Sequence, residues 1–409
     1  MVTRSAIPDG VKALHYGRQT IEADDVDAVV RALRSDFLTQ GPEVSRFEEA
    51  LTKATGAKYA VAVSNGTAAL HLACLAAGVT PGDVGITSTI TFVASANAIR
   101  YAGGRATFTD VDPDTSLMSV ASLEQRVGEL AATGKSPRVI IPVDMTGAVA
   151  DLPRIREIAT RAGALVIEDA AHSLGGEYEH EGKLHRAASC THSDMAILSF
   201  HPVKQVTTGE GGAITTNDEG LFKKLSLLRT HGITKDPALL QRNDGPWYYE
   251  QHALGFNYRI TDIQCALGTT QMAKLDRFVD RRRVIAARYD AAFETAAARA
   301  KVKPLTVPAG VRSAYHLYVV RVVPRPSENV ADVLQRRKAL YLALAEQKIF
   351  TQVHYIPVHA QPDFLGAGMG GEALPGADAY YAGCLSLPMF PAMTDDDADR
   401  VVAAVLESV

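Results

Sequence analysis

Residues 197–216 read ILSFHPVKQVTTGEGGAITT, and they indicate the fold of this 409-residue chain more directly than any other stretch. The apolar residues 197–200 are typical of a buried strand, and residues 213–216 are typical of a second strand. Between them stand Lys204 and a glycine-rich turn at residues 209–212 that returns the chain to the sheet. Lys204 therefore emerges from a buried strand, where apolar surroundings favour the neutral amine over the ammonium.

Short apolar runs alternate with amphipathic segments upstream of this stretch. Residues 84–86, 139–143 and 165–167 are typical of buried strands, and residues 68–77 and 152–162 are typical of helices. Strands that alternate with helices predict a mostly parallel sheet with helices on both faces. The fold class is therefore expected to be α/β.

The pattern changes after Thr261. A helical pattern without proline runs over residues 262–297, and its charge block at residues 280–283 is interpreted as a solvated helix face. This helix is expected to lead from a large domain into a smaller one. We predict a large α/β domain with an N-terminal substrate segment over residues 1–265, and a small α+β domain over residues 266–409.

Further elements are predicted at the two ends of the chain. A helix is expected from about Thr20, because apolar residues recur there at helical spacing, and the Gly41-Pro42 pair ends it. The recurring residues are Val26, Val29, Val30, Leu33 and Phe37. In the C-terminal part, strands are expected near residues 316–323 and 351–356, and helices near residues 336–347 and 396–406.

Composition disfavours several classes of function. Hydrophobic residues make up 47% of the chain, and the net charge of −4 offers no basic field for nucleic acid. No apolar run approaches the roughly 18 residues of a membrane span, and residues 1–8 show no apolar signal-peptide core. The four cysteines form no C-x-x-C pair, so reduced thiols and a cytoplasmic location are expected.

The tetrapeptide Ser64-Asn65-Gly66-Thr67 separates a strand-like run from a helical one. A helix that starts at Gly66-Thr67 directs free N–H groups and the positive end of its dipole outward, which suits a phosphate. Gly66 permits close approach of an anion, and Thr67 adds a hydroxyl. Taken alone, the same residues are also explained as a turn with a helix N-cap.

Asp169 stands at the carboxyl end of a predicted parallel strand, where ligands bind in open α/β sheets. A carboxylate there can keep a pyridine nitrogen protonated, which makes the ring an electron sink. His172 could lie near the ring and bond its phenolic oxygen. As isolated residues, Asp169 could equally be a helix N-cap and His172 a satisfied polar side chain.

Lys204 and Ser199 add an amine and a hydroxyl group to this set of candidate ligand-binding residues. A lysine with a lowered pKa can form an imine with a carbonyl compound, and Ser199 can supply a further phosphate hydroxyl. Lysine, hydroxyl, strand-end aspartate and the upstream Gly-Thr turn are the parts needed to hold pyridoxal phosphate. Phe92 could stack on such a ring or pack in the core, and Arg259 could pair with a phosphate or with a surface carboxylate.

A metal site is the competing interpretation of His180, His185, Cys190 and His192. These residue types bind soft metals. Their spacings match no established ligand pattern, and the Gly182-Lys183 pair among them suggests a loop. No metal site is therefore expected.

Taken together, these segments resemble the DegT/DnrJ/EryC1/StrS family of sugar-nucleotide aminotransferases, a branch of the fold type I (aspartate aminotransferase-like) pyridoxal phosphate enzymes. The resemblance extends from Tyr16 to the C-terminal helix. It is carried by residues 64–70 (SNGTAAL), 168–172 (EDAAH), 199–212 and 255–264 (GFNYRITDIQ).

The resemblance implies roles for the residues that match the family's motifs. Lys204 would form the imine with pyridoxal phosphate and shuttle the proton, with Asp169 at the pyridine nitrogen. His172 would bond the ring hydroxyl, and Phe92 would stack on the ring.

The resemblance also implies how the phosphate is held. Gly66, Thr67 and Ser199 would bind it from one chain, and Asn257 would reach over from a partner subunit. The family is at least dimeric, so a homodimer with active sites shared across its interface is expected.

Within the family, residues 229–235, 247–257 and 351–359 are similar to members that act in pseudaminic acid (surface glycan) biosynthesis. That similarity implies transfer of an amino group from L-glutamate to C4 of a UDP-linked 4-keto-6-deoxy-N-acetylhexosamine. The residues expected to contact the substrate are Tyr16, Leu38, Thr39, Arg259, Gln352 and His354.

The sequence leaves three alternatives to this function open. Related enzymes with similar loops aminate UDP-4-keto-arabinose or dTDP- and GDP-linked 4-keto-6-deoxyhexoses. Other relatives replace the lysine by histidine and carry out a sugar 3-dehydration, against which Lys204 argues. A regulator without catalysis is the third alternative, and the complete set of motif residues argues against it.

Overall fold

The computed structural model describes residues 12–409, and residues 1–8, considered above for a signal peptide, lie outside that range. The strands are β1 (Leu14–His15), β2 (Tyr59–Val63), β3 (Val84–Ser88), β4 (Arg105–Thr109), β5 (Pro137–Ile141), β6 (Leu165–Asp169), β7 (Glu177–His180), β8 (Lys183–Arg186), β9 (Met195–Ser199), β10 (Gly212–Thr216), β11 (Ile233–Thr234), β12 (Glu250–Gln251), β13 (Val302–Pro304), β14 (Val311–Arg312), β15 (Tyr318–Val322), β16 (Ile349–Phe350) and β17 (Cys384–Leu387).

The helices connect these strands. They are α1 (Ala23–Leu33), α2 (Pro42–Thr55), α3 (Gly66–Ala76), α4 (Val93–Tyr101), α5 (Val120–Ala132), α6 (Leu152–Ala162), α7 (Glu219–Arg229), α8 (Asp262–Met272), α9 (Leu275–Phe293), α10 (Ala296–Arg299), α11 (Val330–Glu346), α12 (Pro362–Gly366), α13 (Pro375–Gly383) and α14 (Asp395–Ser408). Short 3-10 turns form at Met145–Gly147 and Val358–Ala360.

A seven-stranded sheet in the order β2-β10-β9-β6-β5-β3-β4 forms the framework. The neighbours from β9 to β4 pair in parallel, whereas β10 is antiparallel to both β2 and β9. The α/β class with a mostly parallel sheet, predicted from the alternation of strands and helices, is confirmed.

Helices cover both faces of this sheet, as strand β9 illustrates. Successive side chains of a strand point to opposite faces. Ile197 accordingly lies in one apolar cluster with Leu72 of α3, and Leu198 lies in another with Phe47 of α2. Because both faces are buried, β9 reads as a continuous apolar run rather than as an alternating one.

A second, three-stranded sheet in the order β13-β15-β17 lies in the C-terminal part of the chain. Its residues share an apolar cluster with α9, α11 and α14. Strand β1 pairs in parallel with β16, so the first described residues contact this part of the fold. The domain boundary at residue 265 stays a prediction.

Two predicted elements differ from the structure. The helix expected over residues 262–297 is divided into α8, α9 and α10, and the first break falls at Lys274, whose Nζ lies 2.7 Å from both Asp24 Oδ1 and Asp25 Oδ1. The strand expected at residues 351–356 is wrong, because Gln352 forms only an isolated bridge with Ser386. The break at Lys274 coincides with its long-range ion pairs to Asp24 and Asp25, which periodicity does not report.

Part of the apolar stripe recognised near the N-terminus faces outward, whereas Val29 and Val30 are half-buried. Val26 and Leu33 are 53% and 54% exposed, whereas α1 buries its small residues Ala28 and Ala32 against Ala266 of α8. A helix is correctly predicted here, but its end is wrong. α1 ends at Leu33, before Phe37, and the Gly41-Pro42 pair instead marks the start of α2. The outward apolar face of α1 is a candidate contact surface.

The interpretation of residues 280–283 as a solvated helix face is wrong for Arg282. Its side chain is completely buried, whereas the side chain of Asp280 is 71% exposed. Arg282 lies on the same face of α9 as the buried Val279 and Ile285, three positions away on either side. The orientation of α9 thus buries one residue of the charge block at residues 280–283.

The four cysteines, Cys74, Cys190, Cys265 and Cys384, are free and buried. Within residues 12–409, no helix has the length and apolar character needed to cross a bilayer.

Candidate active site

A cavity of about 880 Å3 opens at the carboxyl ends of β2, β6 and β9. Parallel strands present their carboxyl ends at one edge of the sheet, and the loops that follow them form ligand sites there. The cavity wall brings together most of the residues that the sequence analysis selected. They are Tyr16, Gly66, Thr67, Phe92, Asp169, His172, Ser199, Lys204, Gln352 and His354.

The first turn of α3 forms one wall of the cavity. Asn65 Oδ1 accepts a hydrogen bond from the N–H of Ala68 at 2.8 Å, which leaves the N–H groups of Gly66 and Thr67 at the open helix N-terminus. A Cβ on Gly66 would lie 3.1 Å from Ser199 Cβ and 3.3 Å from Ser199 Oγ. A serine hydroxyl therefore stands beside two free backbone N–H groups, an arrangement that suits a phosphate.

Gly212, at the start of β10, supports that wall from behind. A Cβ on this residue would come within 2.4 Å of the carbonyl carbon of Asn65 and 2.7 Å of the backbone nitrogen of Gly66. Real Cβ atoms do not approach backbone this closely. The glycine at position 212 thus permits the contact between β10 and the helix start.

Asp169 ends β6 with its carboxylate in the cavity, and the residue is 5% exposed. Burial raises the pKa of this carboxyl, and hydrogen bonds from Ser95 Oγ at 2.7 Å and the Ala171 N–H at 3.3 Å oppose the rise, as does the charge of Lys204. Ser95 was not selected from the sequence, because nothing local links a serine of α4 to a carboxylate on β6. A buried carboxylate of this kind gains from a cationic ligand.

Lys204 presents an amine that has no hydrogen-bond or ion-pair partner among residues 12–409. Burial lowers the pKa of this amine to about 8, with a further lowering from Arg282 and an opposing effect from Asp169. A lysine with such a pKa has an appreciable neutral fraction near pH 7 and can act as a nucleophile.

Three buried histidines line the cavity near Lys204. The ring centroids of His172 and His316 are 4.3 Å apart, and His354 Nδ1 lies 2.8 Å from Ser386 Oγ. Burial and the neighbouring Lys204 lower the pKa of all three imidazoles, that of His354 to about 3. All three are therefore neutral near pH 7. Within the described chain, Nδ1 of His172 has no hydrogen-bond partner, so this buried atom is available to a ligand.

Aromatic side chains complete the wall. Phe92 is 57% exposed, and its ring centroid lies 6.1 Å from that of Tyr355. The rings of Tyr16 and His354 are 5.1 Å apart. Tyr355 and His316 were not selected from the sequence, although Tyr355 directly follows His354 and His316 closely precedes β15.

Four of the expected residues do not line the cavity of a single chain. Leu38, Thr39 and Asn257 lie on the exposed surface, and Arg259 is half-buried beside β2, where it forms a backbone bridge with Val63. Their expected contacts with cofactor or substrate stay predictions that one chain does not test.

The histidine-rich region around β7 and β8 lies outside the cavity wall. His192 Nδ1 lies 2.7 Å from Tyr178 Oη, and the ring centroids of His180 and His185 lie 4.8 Å and 5.3 Å from that of His192. Cys190 Sγ is directed toward Thr215 instead. In the part of the chain that the structure describes, no group of three or more such residues is arranged to hold a metal ion.

The geometry fits pyridoxal phosphate. The α3 N-terminus and Ser199 would hold its phosphate, and the buried carboxylate of Asp169 would pair with its ring nitrogen. The unpartnered Nδ1 of His172 would meet a polar ring substituent, and the free amine of Lys204 would meet the aldehyde carbon.

Comparison with known sequences supports this assignment. The model of the DegT/DnrJ/EryC1/StrS aminotransferase family matches residues 19–406. The chain is 37% identical over 400 residues to the spore coat polysaccharide biosynthesis protein SpsC of Bacillus subtilis, with 97% of each chain covered. It is 34% identical over 397 residues to the UDP-4-amino-4,6-dideoxy-N-acetyl-beta-L-altrosamine transaminase of Campylobacter jejuni, covering 96% of this chain and 98% of the other.

Solved structures give the same result. Helicobacter pylori PseC, an aminotransferase involved in the biosynthesis of pseudoaminic acid, superposes with a TM-score of 0.86 at 26% identity, covering 97% of this chain and 99% of the other. A putative sugar aminotransferase from Streptococcus pneumoniae in its PMP-form superposes with a TM-score of 0.84 at 27% identity, covering 97% and 98%. The chain belongs to the DegT/DnrJ/EryC1/StrS aminotransferase family and is a pyridoxal phosphate-dependent sugar aminotransferase.

The lowered pKa of Lys204 leads to a first prediction. Covalent attachment of pyridoxal phosphate, followed by its visible absorbance after mixing, should become faster as the pH rises and level off above about 8. The reason is that only the neutral amine reacts, whereas an ordinary lysine would level off above about 10. Lys204→Ala should abolish both attachment and turnover.

Asp169→Asn provides the control for this profile. The carboxylate raises the pKa of Lys204, so its removal should shift the midpoint to lower pH. A wild-type midpoint near that of a free lysine, or a Lys204→Ala variant that still forms the coloured adduct, would contradict the assignment.

Gly212→Ala tests the phosphate wall. The added methyl group should displace the backbone of Asn65 and Gly66 and weaken pyridoxal phosphate binding at least about tenfold, or about 1.4 kcal/mol. Titration of the cofactor-free protein by absorbance measures the affinity.

Gly128→Ala is the matched control, because Gly128 lies in α5 with no atom within 4 Å of its built Cβ. It should leave cofactor affinity unchanged and raise the free energy of unfolding by about 0.5–1 kcal/mol. Equal effects of the two changes on affinity would show that the contact of Gly212 with the helix start is unimportant.

Proposed function

We propose that the chain transfers the amino group of L-glutamate to C4 of a UDP-linked 4-keto-6-deoxy-N-acetylhexosamine in the biosynthesis of pseudaminic acid or a related surface glycan. The observation that carries the proposal is the free amine of Lys204 opposite the buried carboxylate of Asp169 in one cavity. The substrate class is supported by the similarity to the transaminase from Campylobacter jejuni and to PseC. Cytoplasmic location stays a prediction.

The chain's own groups have distinct tasks in this reaction. When bound, pyridoxal phosphate supplies an electron-withdrawing ring that makes the hydrogen on the donor's Cα acidic. Asp169 holds the proton on the ring nitrogen, and the first turn of α3 with Ser199 orients the phosphate. Lys204 Nζ would accept the proton that leaves Cα of glutamate. When the keto sugar is bound, the same amine would deliver a proton to C4 of the sugar, the atom that acquires the amino group.

Ser95 and the histidines maintain the state that this chemistry needs. The Ser95 hydroxyl donates to Asp169 at 2.7 Å and so favours the ionised carboxylate. His172 and His354 are neutral near pH 7 because burial lowers their pKa. They therefore add hydrogen-bonding groups to the cavity without adding charges that would compete with the amine of Lys204.

A homodimer with shared active sites is part of the proposal. The reaction brings a phosphate, a nucleotide diphosphate and the carboxylates of glutamate to one cavity. Within residues 12–409, Lys204 is the one lysine that lines this cavity, and no arginine lines it. Anionic groups of this kind are commonly paired with arginine. A second copy can supply the missing groups through Asn257 and Arg259.

Exposed apolar side chains agree with such an assembly. Phe37 and Leu38 are 53% and 48% exposed, and Trp247, Tyr249 and Leu254 are 71%, 54% and 82% exposed. Large apolar side chains with this exposure are typical of surfaces that another subunit covers.

The alternatives named above make different predictions. Amination of UDP-4-keto-arabinose or of a dTDP- or GDP-linked 4-keto sugar would use the same Lys204 and Asp169 and differ in the residues near Tyr16 and Gln352. A 3-dehydratase is disfavoured because it replaces the lysine that this chain retains. A non-catalytic regulator would not need a buried lysine with an accessible amine.

The substrate is tested by incubation with L-glutamate and a panel of UDP-, dTDP- and GDP-linked 4-keto sugars. We expect kcat/KM for the UDP-linked N-acetylhexosamine to exceed that for the dTDP and GDP sugars at least about tenfold, because the acetamido group and the base add contacts. Mass spectrometry of the products gives the readout, and Lys204→Ala is the inactive control. Preference for a dTDP or GDP sugar would contradict the proposed substrate but not the assignment of the chain as an aminotransferase. A 3-deoxy product formed without glutamate consumption would instead indicate dehydration.

Sharing of the active site is tested with two inactive variants. Lys204→Ala and Asn257→Ala should each be strongly impaired as homodimers. A heterodimer purified with two different tags should recover about half of the wild-type activity, because one of its two sites then contains both wild-type residues. If both residues act within one chain, the heterodimer has two damaged sites and recovers nothing, which would contradict the shared site.

A further inference from the structure

Arg282 of α9 is a buried cation without a counter-ion. Its side chain is fully buried, and no carboxylate within residues 12–409 forms an ion pair with it. Its neighbours in the same charge block differ, because Arg281 pairs with Asp395 and Arg283 pairs with Asp280. A buried charge without a partner is costly to a fold, so its presence calls for a function.

The guanidinium is also incompletely hydrogen-bonded. Nη1 donates to the carbonyl oxygens of Met389 at 2.9 Å, His316 at 3.1 Å and Tyr315 at 3.3 Å. Nε and Nη2 have no partner in the described chain. The carbonyl groups therefore orient the side chain, but they do not neutralise its charge.

The contact with His316 places this charge directly behind the cavity wall. The imidazole of His316 lines the cavity together with Lys204, while its carbonyl oxygen is bound by Arg282. The charge of Arg282 lowers the pKa of both Lys204 and His316. Arg282 thus lies on the protein side of His316, whose imidazole lines the cavity together with Lys204.

The other groups that face Lys204 are either neutral or act in the opposite direction. The charged and titratable groups coupled to it are Asp169, His172, His201, His316, His354 and Arg282. The remaining titratable groups of the cavity wall are the phenols of Tyr16, Tyr101, Tyr258 and Tyr355 and the carboxyl of Glu210. Asp169 favours the ammonium of Lys204, and Arg282 is the cation that opposes it.

We propose that Arg282 is a positioning residue of the active site, a buried and unpaired cation whose charge acts on Lys204 through the wall at His316 and keeps the amine free to react. This inference rests on the proposed role of Lys204 as the lysine that binds pyridoxal phosphate. It predicts that the charge of residue 282, rather than its hydrogen bonds alone, contributes to the pH dependence of cofactor attachment in addition to burial.

Three substitutions separate charge from structure. Arg282→Gln keeps a donor for the carbonyl oxygens and removes the charge, and Arg282→Lys keeps the charge with a different donor. Arg282→Met is a second neutral variant, which avoids the burial of unpaired polar atoms. Arg281→Gln is the matched control, because Arg281 is the adjacent member of the block and is paired with Asp395 near the surface.

The experiment measures the rate at which pyridoxal phosphate attaches to the full-length, cofactor-free protein between about pH 6 and 10. In Arg282→Gln and Arg282→Met the midpoint should move to higher pH, and a shift of about one unit slows attachment about tenfold near pH 7. The rate at high pH should remain close to that of the wild type. Arg282→Lys and Arg281→Gln should retain the wild-type midpoint.

The outcomes separate this inference from the function proposed above. A uniform loss of rate at every pH, or an unchanged midpoint in the neutral variants, would overturn the inference and leave Lys204 in its role. Folding of Arg282→Lys together with misfolding of both neutral variants would also overturn it, since the residue would then be structural. Retention of the coloured adduct by Lys204→Ala would instead overturn the proposed role of Lys204.

Discussion

Burial of opposite charges at one edge of the central sheet is the constraint on which the site depends. Burial raises the pKa of Asp169 and lowers that of Lys204, so it drives both groups toward their neutral forms. Their mutual attraction and the hydroxyl of Ser95 oppose this tendency for Asp169. The result is a carboxylate that favours a cationic ring nitrogen and an amine that deprotonates near neutral pH. The pairing of β6 with β9 brings the two groups to the same edge of the sheet.

The phosphate wall depends on backbone contacts that only small residues permit. The start of α3 lies against Ser199 through Gly66 and against β10 through Gly212. Because β10 is antiparallel to both β2 and β9, its first residue lies at the edge where those two strands end. The sheet topology therefore aligns the helix N-terminus, the serine hydroxyl and the lysine loop in one region.

Sequence patterns predicted the parts of this site that are encoded locally. The strand, the glycine turn and the helix start around residues 64–70 are adjacent in the chain, and so are Asp169 and His172 within one motif. Ser95 and Arg282 could not be found in this way, because each acquires its role from a residue far away in the sequence. The break at Lys274 has the same origin, since its side chain contacts the acidic first turn of α1. Periodicity indicates which residues of an element share a face, but it does not indicate which residues of other elements contact that face.

The strand that carries Asp169 also shows how a neighbouring carboxyl is prevented from adding charge to the site. Glu168 precedes Asp169 in β6, and successive side chains of a strand point to opposite faces. Glu168 receives hydrogen bonds from the Ala188 N–H and Ser193 Oγ, away from the cavity. Burial raises the pKa of both Glu168 and its neighbour Asp144. The charge of Glu168 raises the pKa of Asp144 further, whereas a hydrogen bond with Asp144 partly lowers that of Glu168. The raised pKa values favour a proton on the pair of Glu168 and Asp144, and they leave Asp169 as the carboxylate of β6 that faces the cavity.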